Sequence, residues 1–185
     1  MSELWLVRHG QTEWSRDGRH TSTTDLPLLP EGEEVAAGLR ERLADVDFAQ
    51  VLTSPRLRAR RTAELAGFAD AEVDADLVEW DYGDYEGITT PQIRESVPGW
   101  TIWSHPCPGG ESAEAVGARL DRVVARARAV EGRTLAVAHG HSLRALAARW
   151  LALPVSEGRL LRLDTSTVSV LGFERESPVV LRWNA

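Results

Sequence analysis

The chain has no lysine: all 21 of its basic residues are arginine. That absence removes a P-loop lysine and any lysine Schiff-base cofactor chemistry. Cysteine is almost missing as well. Cys107 stands alone, so no intrachain disulfide can form, and a reducing cytoplasm is the expected location. No apolar run approaches the roughly 18 residues needed to span a bilayer. The opening Met1-Ser2-Glu3 carries no basic stretch and leads straight into a strand pattern, so no signal peptide is expected. Positive charge is in deficit: the formal net charge is -7. A nucleic-acid binder would need a basic face, so that partner is not expected, although a local cationic pocket remains compatible with the total. Internal repeats and low-complexity stretches are also lacking. What remains is 185 residues, enough for one hydrophobic core in a single domain spanning 1–185.

The informative residues lie in two distant segments, Leu6-Val7-Arg8-His9-Gly10 and Val137-Ala138-His139-Gly140-His141. Each is a short apolar run that stops at a histidine and a glycine. Such a run reads as a buried strand whose polar end opens at the mouth of a sheet. A single histidine there would be ordinary. Arg8 beside His9 is harder to explain by packing, because arginine is rarely buried unpaired. Glycine after each histidine permits close backbone approach to a ligand. Two strands delivering Arg-His-Gly and His-Gly-His to one mouth build a cationic, imidazole-rich pocket suited to phosphate.

Strand-like and helix-like patterns alternate, which predicts an α/β fold: a three-layer sandwich with a mostly parallel central sheet and helices on both faces. Residues 3–8, 48–53 and 134–138 read as strands. Pro30 opens a helix through Leu43, with Glu31, Glu33 and Glu34 in its first turn. Ser54-Pro55 reads as a helix start with serine as N-cap. Residues 112–131 carry one apolar face (Val116, Leu120, Val123, Val124, Ala127), which leaves Arg119, Arg122 and Arg126 on a solvated side. A further helix is expected from near Ser142, and residues 167–173 and 178–183 form a terminal hairpin. Residues 83–111 break this rhythm with four prolines and with Trp100 and Trp103. They read as an ordered insertion over the site, whose Tyr85, Trp100 and Trp103, with Tyr82 just before it, wall the pocket.

The run Leu6 to Trp14 resembles the opening motif of the histidine phosphatase superfamily, which includes the cofactor-dependent phosphoglycerate mutases. Thr53-Ser54-Pro55-Arg56-Leu57-Arg58 through Thr62-Ala63 resembles its second arginine motif, and Glu79-Trp80-Asp81-Tyr82-Gly83 its acidic motif. Gly109-Gly110-Glu111-Ser112 and Ala138-His139-Gly140 match two more, all five in family order. The resemblance implies a phosphoglycerate mutase-like fold and a metal-independent reaction without cofactor. It implies His9 as nucleophile, forming a phosphohistidine. Arg8, Arg58 and His139 would hold the phosphoryl oxygens, and Glu79 would exchange the proton of the leaving group. Gly10, Ser15, Thr21, Ser22 and Gly140 would contact substrate, although Thr21 and Ser22 are equally good turn formers. His139 and His141 form a His-x-His pair that could ligate a metal, but no pattern supplies the remaining ligands.

The family holds both mutases and phosphatases. The mutases carry an arginine directly after the acidic glutamate, whereas Trp80 stands here and residues 81–112 hold only Arg94. A small phosphorylated sugar or polyol, a bisphosphate included, therefore fits better than phosphoglycerate. Within the phosphatases the wording is most similar to the fungal sedoheptulose-bisphosphatases and the mycobacterial mutase-like acid phosphatases. Mutase-type phosphoryl transfer and a non-catalytic phospho-ligand binder stay open as alternatives.

Overall fold

The structure, a computed structural model, describes residues 2–185. Strand β1 (Glu3–Arg8) lies beside β4 (Arg133–Ala138) in parallel, with Glu3 opposite Arg133 and Arg8 opposite Ala138. On the far side of β4 comes β2 (Gln50–Thr53), also parallel, and then the short β3 (Glu72–Val73). On the other flank β5 (Val168–Glu174) runs antiparallel to β1, and β6 (Ser177–Arg182) closes the sheet as the expected hairpin partner. The order is β3-β2-β4-β1-β5-β6.

Side chains alternate across each strand, so one sheet serves two apolar layers. Leu4, Leu6, Ala136 and Ala138 face α5 (Ala113–Ala129) and α6 (Gly140–Trp150), where they meet Val116, Leu120, Val123 and Leu146. Val7, Leu135 and Val137 face the other way, onto Leu39 and Leu43 of α2 (Pro30–Leu43) and Ala63 of α3 (Leu57–Leu65). Two short helices, α1 (Glu13–Asp17) and α4 (Thr90–Ser96), lie in the connections. The three layers and the mostly parallel sheet are those expected from the sequence.

Two local expectations give way. Helix α3 starts at Leu57 with Arg56 at its N-cap, so Ser54 is not the cap. Its amide still bonds to Val137 O at 3.0 Å and extends the β2–β4 ladder, which frees the hydroxyl for another partner. Arg119 does not lie on a solvated face. It is buried and paired with Glu111 at 2.8 Å, and its Nη1 donates to the carbonyls of Asp76 and Val78. The polar stripe of α5 is thus partly covered by the chain leading up to Glu79 and by Glu111.

Segment 83–111 packs onto the same core as the sheet: Ile93, Trp100, Ile102 and Cys107 are all buried in it. Its ends cross closely. Asp84 N bonds to Pro108 O at 2.8 Å and Glu111 N to Asp81 O at 3.0 Å. Gly83 has φ +52 and meets the backbone of Pro108 and Gly110 with no room for a side chain, so glycine is required there.

Candidate active site

Parallel register brings three strand ends to one edge. Arg8 ends β1 opposite Ala138, and Thr53 ends β2 opposite Val137. The next residues, His9, Ser54 and His139, therefore emerge together. The rings of His9 and His139 stand 5.1 Å apart, centroid to centroid.

His9 is oriented by its own neighbour, with Nδ1 lying 2.7 Å from Gly10 O. A carbonyl only accepts, so Nδ1 carries the hydrogen and Nε2 keeps a free lone pair. The Gly10 amide donates to Thr62 Oγ1 at 2.9 Å, and that hydroxyl donates to Arg58 O at 2.8 Å. One threonine on α3 thus ties the histidine loop to the helix that presents Arg58. A side chain at residue 10 would sit 2.7 Å from Gly32 O, so the loop also needs glycine.

Arg58 is fully buried. Its Nη atoms donate to the carbonyls of Thr24 (3.1 Å), Thr21 (3.2 Å) and Ser22 (3.3 Å). That loop is held in turn by Glu86, whose carboxylate accepts from the amides of Ser22 and Thr24 and from the Ser22 hydroxyl at 2.6 Å. Arg8 donates from Nη1 to Leu163 O at 2.7 Å and lies against Gly140, where a Cβ would come within 3.3 Å of Cζ. His139 Nε2 meets Ser54 Oγ at 2.7 Å. After these bonds, Arg8 Nε, Arg56 Nε, Arg58 Nε and His139 Nδ1 remain buried without a partner. An unpaired buried polar group typically costs about 1–3 kcal/mol, more when charged. Several such groups around one mouth are the donor set of an anion site.

Glu79 is buried beside this set. Its Oε1 accepts from the amides of Trp80 and Ser142, both at 2.8 Å, and Oε2 accepts from His141 N at 3.1 Å. The first turn of α6 therefore holds the carboxylate, and Oε2, with one bond, has lone-pair capacity left. Tyr82 Oη lies 2.6 Å from His141 Nδ1.

Burial is the largest influence on the imidazoles. It pushes His9 well down, with Arg58 and Arg8 adding to the effect and the Gly10 bond opposing it. His139 moves the same way through burial, then Arg58 and His9, and His141 through burial, then Arg144. His20 is lowered to about 4 by burial, against Glu86. Tyr82 is pushed well up by burial and next by Glu79. All four histidines are neutral at pH 7.

The cleft offers about 190 Å³, lined by Arg8, His9, Glu79 and Gly140, with Ser15 and Thr21 at its side. The Ser15 hydroxyl is shared with a capping box on Thr12. Ser22 and Gly10 stand behind the lining, where they position Arg58 and His9. Of the four aromatics expected to wall the pocket, Tyr82 does so. Trp100 is buried in the core with Tyr85 against it, and Trp103 lies under the Arg144 guanidinium. Arg19, Arg144 and His141 also line the cleft. Sequence reasoning gave Arg19 and Arg144 no role, because they come from a loop and a helix turn outside the motifs, and it weighed His141 only in the His-Gly-His strand end and as half of a metal-ligating pair. Among the described residues, no group of three or more His, Cys, Asp or Glu side chains is placed to hold a metal ion.

Known proteins resemble this chain in sequence and in fold. The histidine phosphatase superfamily (branch 1) matches residues 4–185. An acid phosphatase of Mycobacterium tuberculosis is 47% identical over 176 residues, covering 92% of this chain and 86% of its own. The sedoheptulose 1,7-bisphosphatase of Saccharomyces cerevisiae is 40% identical over 185 residues, with 82% and 68% covered. A solved Mycobacterium tuberculosis protein superposes with a TM-score of 0.96 at 42% identity, covering 99% of this chain and 97% of that one. With its motifs in order, its strand ends converged and residues 4–185 matched, the chain belongs to the histidine phosphatase superfamily, branch 1.

Proposed function

We propose that this enzyme is a phosphomonoesterase that hydrolyses small phosphorylated sugars or polyols through a phosphohistidine at His9. The observation that carries the reading is the set of unpaired buried donors around the free Nε2 of His9. Nε2 attacks phosphorus while the bond to the bridging oxygen breaks. Glu79 gives that oxygen a proton from Oε2, and the alcohol leaves. Water then attacks the phosphohistidine, gives its proton to Glu79 and releases inorganic phosphate. Arg8, Arg58 and His139 hold the phosphoryl oxygens throughout and meet the charge that a metal would otherwise meet.

The leaving-group side favours a hydroxylated, anionic substrate. Tyr82, His141 and Thr21 offer hydrogen bonds, and Arg19 and Arg144 add positive charge from outside the stretch around Glu79. That charge suits a second phosphate, as the name of the yeast relative also suggests. The position after Glu79, where the mutases resembled here carry arginine, is a buried tryptophan bonded to Glu111 O, so no cation stands there for a carboxylate. A cytoplasmic location agrees with a single, buried cysteine that needs no oxidising compartment.

The test is a panel of phosphorylated metabolites, followed by trapping of labelled phosphate without acid quenching. Sugar phosphates or bisphosphates should exceed 3-phosphoglycerate in kcat/KM, and label should appear on the wild type and not on His9→Ala. A fully active His9→Ala enzyme would remove the nucleophile, and a preference for phosphoglycerate would move the enzyme to the mutase class.

A further inference from the structure

We infer that Ser54 is a positioning residue that fixes the tautomer of His139, so that Nδ1–H is presented to the phosphoryl group. The inference rests on the phosphoryl site proposed above and adds to it a residue outside the cleft lining.

Ser54 is fully buried at the end of β2, and its Oγ has two neighbours. One is His139 Nε2 at 2.7 Å; the other is the Arg56 amide, which donates to Oγ at 3.4 Å. His139 is equally buried, and its neutral ring has one hydrogen to place. Two arrangements are possible. With the hydrogen on Nε2, the ring donates to Ser54 Oγ. That oxygen then accepts twice, and the serine hydrogen is left in a buried site without an acceptor. The Nδ1 lone pair would then be buried without a donor, and a phosphoryl oxygen arriving there would be repelled.

With the hydrogen on Nδ1, the serine hydroxyl donates to Nε2 and accepts from Arg56 N–H, so every polar atom of Ser54 is used. The only unmatched group is then Nδ1–H, which is buried without a protein partner. It joins Arg8 Nε and Arg58 Nε as a donor that only an incoming oxyanion satisfies. The second arrangement leaves nothing unpaired once phosphate binds, and a buried unpaired hydroxyl makes the first one costly. An orienting partner on the far nitrogen commonly selects the working tautomer of a histidine. The same reasoning accounts for the helix start. If Ser54 capped α3, its oxygen would be turned away from His139.

The experiment is nitrogen-15 NMR on protein labelled at histidine, in the resting state near pH 7.5, with the His139 signals identified by their loss in His139→Gln. Wild type should show hydrogen on Nδ1 and a bare Nε2. Hydrogen on Nε2 would overturn the inference whether or not the enzyme turns over, and this reading needs no Ser54 variant to fold. In Ser54→Ala the bias should weaken to a mixture of tautomers. Its kcat should fall about 10–100-fold, the range seen when orienting partners of metal-bound histidines are removed, with KM changed much less. An unchanged kcat together with an unchanged tautomer in Ser54→Ala would equally rule out the positioning role. A protein that hydrolyses no phosphomonoester but shows Nδ1–H would defeat the functional reading and leave the tautomer assignment supported.

Discussion

At the residue scale the site consists of donors held from behind. Arg58 spends its Nη atoms on three carbonyls, Arg8 spends one on Leu163, and each keeps Nε free. Glu79 is held the same way, by three amides, which leaves Oε2 as the atom able to carry a proton. This gives a sharp expectation for Glu79→Gln, which keeps the shape and loses the proton. Hydrolysis of an alkyl phosphate should fall about 10²–10⁴-fold, the usual range for general acid–base catalysis. Hydrolysis of p-nitrophenyl phosphate should fall far less, since nitrophenolate hardly needs protonation. Steady-state kinetics on the two substrates checks it, and equal losses would show that Glu79 acts only through charge or structure. His9, Arg8, Arg58, Glu79 and His139 are all legible in the sequence, because each sits in a short motif of fixed wording. Tyr82 is legible as a wall of the cleft, but its bond to His141 and the bond of Ser54 to His139 are not. These bonds join residues 59 and 85 positions apart, and no local pattern reports such a pairing.

At the element scale, strand ends and helix starts set the geometry, and here the sequence was partly misleading. Strand runs such as Leu4–Val7 and Leu135–Ala138 show themselves by continuous apolar character. The start of α3 does not, since Ser-Pro is a good helix opening in isolation. The actual start lies at Leu57 because the Ser54 amide stays in the sheet ladder. Arg119 escapes a periodicity argument for a similar reason: Glu111, which buries it, lies in the loop before α5. Helix α6 offers a test of how closely element and site are matched. Gly140 is its first residue, and an added Cβ would lie 3.3 Å from both Cζ and Nε of Arg8. Alanine suits a helix better than glycine by up to about 1 kcal/mol. Gly140→Ala should therefore leave thermal stability unchanged or slightly raised, while displacing the arginine. Since small misplacements of a positioning group can cost as much as about 10²-fold, kcat/KM should fall about 10–100-fold. Melting curves and kinetics on the same preparation separate the two effects. A variant that loses stability and activity together would show that the glycine serves packing and not the placement of Arg8.

At the scale of the whole molecule, the buried imidazoles that make the site also set its acid tolerance. His9, His20, His139 and His141 are neutral in the fold because burial lowers each pKa, in His20 to about 4. In the unfolded chain each returns to about 6.5. Below that pH the unfolded state binds more protons than the native state, so stability falls as pH falls, starting near 6.5. For His20 the loss continues to about 4, and for the other three, whose folded pKa is likewise lowered, it adds in the same direction. Each histidine contributes a slope of about 1.4 kcal/mol per pH unit once its unfolded form is fully protonated, so four together approach about 5 kcal/mol per unit. Carboxylates with lowered pKa, such as Glu33, Glu114 and Asp164, act only below about 4.5, outside the upper part of this window. Total stabilities of about 5–15 kcal/mol make such a slope decisive. Urea unfolding should therefore show a strong loss of stability between pH 7 and 5, while His9 stays unprotonated and nucleophilic in whatever remains folded. Saturating inorganic phosphate should oppose the loss, because it binds the folded anion site alone. The acid limb of kcat/KM should accordingly follow the unfolding curve and not a titration near 6.5. A stability profile flat from pH 7 to 5 would mean that the histidines take up protons within the fold, and the neutral-imidazole account of this site would have to be given up.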